Sequence, residues 1–154
     1  MRHTDQLQWM HPRLAPSSRY LEFPPPEVVA FLVDVYFTHS NIYYPVLHPP
    51  TFRRLLDEGL HHRDGDFSGI LLVVCAIGAR FSNHPYLADA TAESRNRRIA
   101  HWLSQTREVM KKPFTSTATL FEVQYYCVSG LPVGTLDSRA RVESPSFLVV
   151  RDMS

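Results

Sequence analysis

Ile70-Leu71-Leu72-Val73-Val74-Cys75-Ala76-Ile77 is an unbroken apolar run, and whether it is helix or strand decides the fold class. Periodicity cannot separate a buried strand from a buried helix when every position is apolar. Length can. The pattern extends from about Phe67 to Arg80, well beyond the five or six residues of a typical strand. No second stretch of the chain offers a strand to pair with it. The run therefore predicts a central helix, and the chain reads as all-α, a bundle-like array of helices packed on helices.

Working outward, a first helix is predicted from about Pro26 to Ser40. Val28, Val29, Phe31, Leu32, Val35 and Tyr36 form its main face, and Val33 and Phe37 make the other side apolar too. A helix apolar most of the way round is buried on two sides. A second helix starts near Thr51, with Phe52, Leu55 and Leu56 inward, and Gly59 is its expected stop, since glycine takes the left-handed conformation freely. The fourth, from about Thr91 to Lys111, carries the stripe Ile99, Trp102, Leu103, Thr106, Val109 and Met110. Glu93–Arg97 and Glu108–Lys112 are favourable i,i+4 pairs, each worth roughly 0.2–0.5 kcal/mol, and Pro113 ends the helix. A capping box, Thr119-Leu120-Phe121-Glu122, opens the fifth, whose expected inner residues are Leu120, Val123, Tyr126 and Cys127.

The connector Asn41 to Phe52 is unusual. It holds Ile42, Tyr43, Tyr44, Val46 and Leu47, and its prolines at 45, 49 and 50 stiffen it. Such a loop is expected to pack against the domain. Residues 1–25 read as an irregular, proline-bearing lead-in, 26–128 as a helical domain, and 129–154 as an irregular tail. Gly130, Pro132 and Gly134 break the helical period there, and the tail is expected to be foreign to the domain, poorly ordered and a cause of poor solubility.

The totals exclude several classes of function. Lys plus Arg number 16 against 15 Asp plus Glu, and a net charge of +1 gives no global attraction to nucleic acid. Cys75 and Cys127 lie in apolar runs with no partner at metal or redox spacing, which predicts buried free thiols in a reducing compartment. The first residues carry no signal-peptide pattern. The longest apolar run, Ile70 to Ala79, is short of the about 20 residues a membrane span needs. The chain reads as soluble and intracellular.

Three segments carry a family resemblance: Leu32-Val33-Asp34-Val35-Tyr36-Phe37, Tyr44-Pro45-Val46-Leu47-His48-Pro49-Pro50-Thr51-Phe52, and Leu71 to Ser82 with its Ala76-Ile77-Gly78-Ala79-Arg80-Phe81-Ser82 ending. Thr119 to Gln124 fits as well. Over about residues 25–127 the chain resembles the N-terminal portion of the fungal-specific transcription factor domain. That domain is the regulatory region that follows the zinc binuclear cluster in many fungal transcription factors. The resemblance implies a nuclear, non-enzymatic part in transcription regulation, acting through protein partners or the rest of a longer factor. Residues 1–25 hold nothing like the six-cysteine cluster, so zinc and DNA reading belong to the parent family and no metal ligand is carried over to this chain. After Cys127 the chain departs from the family pattern, which makes the domain look truncated.

Other candidate sites weigh less. His61-His62 is adjacent in a Gly/Asp turn rather than at the four-residue spacing of a helical zinc pair, so a solvated turn is expected. His48 has no nucleophile with a local signature and reads as structural, bonded to backbone near the second helix; His39 reads as structural too. Arg95, Arg97, Arg98, Arg107, Lys111 and Lys112 scatter over several faces of the fourth helix, which predicts a solvated surface rather than a phosphate track. Tyr43, Tyr44, Phe52 and Phe81 are expected to be packing residues. No catalytic, cofactor-binding or metal residue is assigned. The alternative reading is a small helical ligand-binding module or enzyme built on the Tyr43, Tyr44 and His48 region.

Overall fold

The computed structural model describes residues 21–88, 91–111 and 117–130. The order is α1 (Pro26–His39), α2 (Pro49–Asp57), a 3₁₀ turn (Leu60–His62), α3 (Gly65–Arg80), α4 (Pro85–Ala88), α5 (Ala92–Met110) and α6 (Leu120–Ser129). Among the described residues there is no strand, and the fold is all-α as the sequence predicts. The segments 1–20 and 131–154, with Lys112 and Pro113, lie outside the described residues. So does the expectation of a foreign, disordered tail over 129–154, apart from Ser129, which ends α6, and its C-cap Gly130.

The apolar run becomes the hub. Every residue of α3 from Gly65 to Ala79 except Asp66 is buried, and α1, α5 and α6 pack around it. Asp64 caps its start by accepting from the Phe67 N–H at 2.8 Å, so the helix begins two residues earlier than the apolar pattern suggests. Against α3, α1 presents Val28, Val29, Leu32, Val33, Tyr36 and Phe37 as buried residues. Phe31, expected on the main face, is 40% exposed instead. At Gly78 α1 and α3 cross closely: a Cβ there would meet the backbone carbonyl of Leu32.

The α5 stripe is as expected. Ile99, Trp102, Thr106, Val109 and Met110 are buried and Leu103 half-buried, while Arg97, His101, Arg107 and Glu108 face solvent. Glu93 and Arg97 pair at 3.5 Å, and Glu108 pairs with Lys111 at 2.7 Å. Gly59 ends α2 at φ +68°. Phe52 sits between Phe37 and Phe67, with ring centroids 5.6 and 5.1 Å away.

Helix α6 is turned over relative to the expectation. Thr119 and Glu122 form the full capping box. The buried residues, however, are Tyr125 and Val128, with Phe121 packed on Phe67 at 5.5 Å. Leu120, Val123, Tyr126 and Cys127 are exposed. The helix is apolar nearly all round, so periodicity could not choose its inner face. Shape and polar bonds chose instead: Thr119 at the N-cap donates to Asp66 of α3 at 2.7 Å, and the Tyr125 hydroxyl meets Thr106 Oγ1 of α5 at 3.0 Å in a buried contact. Burial raises the Tyr125 pKa, so the phenol stays protonated and able to share that hydrogen bond.

Candidate functional site

The connector between α1 and α2 is ordered, but not by the means its composition suggests. Ile42 and Tyr43 are 63% and 73% exposed, and Tyr44 is about half exposed; of these apolar side chains Leu47 alone is buried, with Val46 partly so. Order comes from Asn41. Its side-chain amide donates to the Leu47 carbonyl at 3.0 Å and accepts from the Leu47 N–H at 3.2 Å, as a neighbouring strand would. Asn41 is itself buried, and the Tyr36 hydroxyl reaches its Oδ1 at 3.5 Å. Desolvation lifts the Tyr36 pKa to about 12. A polar residue immediately after a helix, followed by an apolar loop, was the available signal for this clamp.

His48, Tyr43 and Tyr44 do not converge. The His48 ring is exposed and its Nδ1 meets Thr51 Oγ1 at 2.8 Å, a side-chain contact rather than the backbone bond expected. A small apolar cavity of about 80 Å³ lies beside it, walled by Phe52, Phe67, Phe121 and Leu120 among others, and neither tyrosine lines it. Phe52 is core, as expected of a packing aromatic, but Tyr43, Tyr44 and Phe81 are exposed. His39 donates through Nδ1–H to the Val35 carbonyl at 3.0 Å and stacks on Phe81 at 5.7 Å, a structural role at the end of α1.

His61 departs from the solvated turn expected of it. It is half-buried in the 3₁₀ turn, edge-on to Phe23 at 5.2 Å and 3.9 Å from His62, and its Nδ1 is buried with no partner among the described residues. Desolvation first, then the neighbouring His62, pull its pKa from 6.5 to about 4. The unfolded chain takes up this proton near 6.5 and the folded chain only near 4. This contribution to stability is therefore complete above about pH 6.5, is lost as pH falls through that window, and levels off below about 4. After discounting for partial exposure the loss is about 1–2 kcal/mol. Thermal melts between pH 7 and pH 4 should show it, and His61→Leu should make the dependence shallower; an identical pH dependence in the variant would contradict this.

Surface charge is dispersed rather than gathered. Arg53 pairs with Asp34 at 2.9 Å and Arg54 with Glu58 at 2.8 Å. On α5, Arg98 turns inward to the Tyr86 carbonyl, while Arg97 and Lys111 meet acids of their own helix. A phosphate track needs several clustered cations on one face. No set of three or more His, Cys, Asp and Glu residues that could hold a metal occurs among the described residues. Cys75 is fully buried, and burial pushes its thiol up to about 12, away from the thiolate that metals bind. Cys127 is exposed on α6, correcting its expected burial. No helix in the described residues is long and apolar enough to cross a membrane.

Segment 21–25 is more than a loose lead-in. The Glu22 N–H donates to Gln105 Oε1 at 2.6 Å, and Gln105 Nε2 donates back to the Glu22 carbonyl at 3.1 Å. The Glu22 carboxylate meets His101 Nε2 at 2.9 Å. Leu21 and Phe23 pack on the core edge. Nothing in the local sequence marks this docking, because both partners of the clasp look like solvent residues.

Two comparisons bear on the chain's kinship. The profile of the "Fungal specific transcription factor domain" family matches residues 33–132. The chain is also 32% identical over 95 residues to "Zn(2)-C6 fungal-type transcription factor FTF1c" of Fusarium oxysporum f. sp. lycopersici. That alignment takes in 59% of this chain and 9% of the relative, so the chain spans a small part of the relative's length. No solved structure matches. The helical array, the Tyr44 to Phe52 connector and the family match over most of the described core agree: the chain belongs to the fungal-specific transcription factor domain family.

Proposed function

We propose that this chain is the regulatory, non-DNA-reading part of a longer nuclear transcription factor. It works through contacts with the remainder of that factor or with protein partners. The observation that carries the reading is the outer face of α6. Leu120, Val123 and Tyr126 stand 66%, 52% and 50% exposed on a helix whose opposite face is fixed in the core. Adjacent exposed apolar residues on a rigid element are what a protein contact uses. Family membership supports the transcriptional setting and the nuclear location. The absence of convergence among Tyr43, Tyr44 and His48 gives a catalytic reading no foothold, and we propose no enzymatic role. We also propose no cofactor for this chain; zinc would belong to a binuclear cluster elsewhere in a parent factor.

A gel shift tests the non-reading part. Purified chain mixed with a library of random duplexes should give no sequence-specific complex near physiological salt, because the chain's charge is balanced and several of the described cations sit in ion pairs. A specific complex that survives those conditions would overturn this part of the reading.

A further inference from the structure

We propose that the open cavity between segment 21–25, α4 and α5 binds a small planar aromatic carboxylate. The cavity measures about 400 Å³, within the range of small-molecule sites, about 300–1,000 Å³. Half-buried Phe23 and Tyr86 supply aromatic wall over the buried Trp102, α5 adds Arg97, Arg98 and His101, and segment 21–25 adds the Glu22 carboxylate. Rings beside guanidinium groups match a ligand with a flat apolar body and an anionic end.

The two arginines differ in what already holds them. Arg98 is fixed: Nη1 donates to the Tyr86 carbonyl at 2.7 Å, and its guanidinium carbon lies 4.5 Å from the Tyr86 ring centroid. That bond commits one of the five donors of the fork. Arg97 is held only by a 3.5 Å contact to Glu93, with both side chains mostly exposed. Such a pair is worth little and gives way to a better carboxylate. The protein's own Glu22 carboxylate already meets His101 at 2.9 Å on the same wall. It occupies the histidine and leaves the excess positive charge with Arg97 and Arg98.

The preceding residues have the wrong sign to serve as that anion. Positions 1–20 carry Arg2, Arg13 and Arg19 against Asp5 alone. The volume admits one or two fused rings, which favours a small molecule over an acidic protein surface. The inference stands apart from the regulatory reading, because binding is measured directly and without a transcriptional output.

The test uses the full 154-residue chain, with ligand-observed saturation-transfer NMR at low protein concentration. The probes are 2-naphthoate and the similarly shaped cation 2-naphthylmethylammonium. Transfer to the naphthoate and not to the cation is expected. Arg97→Gln should weaken naphthoate binding about fivefold or more, and Glu22→Gln should strengthen it by removing a competing carboxylate. Both positions are exposed, and Glu22→Gln keeps the backbone clasp to Gln105, so circular dichroism should show both variants folded. No transfer to naphthoate at about 1 mM, equal transfer to the cation, unchanged affinity in Arg97→Gln, or weaker binding in Glu22→Gln would each overturn the proposal.

Discussion

Trp102→Ala is expected to cost about 3–5 kcal/mol of folding stability. Trp102 is 4% exposed at the middle of the α5 stripe, between Ile99 and Thr106 on the side that faces α3. Truncation removes a large apolar ring from the junction of α5 with α3 and leaves a hole that neighbouring helices cannot close without moving. For a domain whose whole stability is about 5–15 kcal/mol, such a loss is a large fraction. Denaturant unfolding followed by helical circular dichroism gives the value. A loss below about 1 kcal/mol would mean that Trp102 contributes little to the core.

Gly78→Ala should be destabilising by about 3 kcal/mol, against the usual direction for a glycine in a helix. Helix propensity alone would favour alanine by about 1 kcal/mol. Packing opposes it, because the added Cβ would press on the Leu32 carbonyl, with the Leu32 carbonyl carbon 3.0 Å and its Cα 3.2 Å away. Both are backbone atoms of α1, so no side chain can swing aside. Relief requires α1 and α3 to separate, and that loosens Leu32, Tyr36 and the apolar face of α3 together. Gly69 makes the comparison informative: a Cβ there would meet the flexible end of Met110, which can move. Gly69→Ala should therefore cost markedly less than Gly78→Ala. Equal costs, or a stabilising Gly78→Ala, would contradict the close crossing of α1 over α3.

The parts of this fold that were legible in the sequence are those fixed by one-dimensional pattern. The α3 run, the α5 stripe, Gly59 as the α2 stop and the Thr119–Glu122 capping box each follow from spacing or from one residue's local chemistry. The parts that were not legible depend on relations between distant residues. Helix α6 offers two apolar faces, and contacts between residues distant in the chain, among them the Thr106–Tyr125 and Thr119–Asp66 bonds and the Phe67–Phe121 contact, decide which one turns inward. Asn41 and Gln105 each use an amide to hold the backbone of an irregular segment, a role that their polarity alone disguises as solvent exposure. The tyrosines at 43 and 44 mislead in the opposite sense: their apolar surface suggests burial, yet the Asn41 clamp orders the loop without them. The cavity beside Trp102 is assembled from segment 21–25, α4 and α5, and no single stretch of sequence announces it.

The most direct test of the regulatory reading is a tethered reporter measurement in fungal cells. The chain is fused to an unrelated DNA-binding module whose sites lie upstream of the reporter, and its output is compared with the module alone and with the unfused chain. The fusion should change reporter output severalfold, the unfused chain should leave it unchanged, and Leu120→Asp with Val123→Asp on the outer face of α6 should cancel the effect without loss of helical signal. A folded, nuclear fusion whose output equals that of the module alone, or an unfused chain that acts on the reporter by itself, would contradict the account.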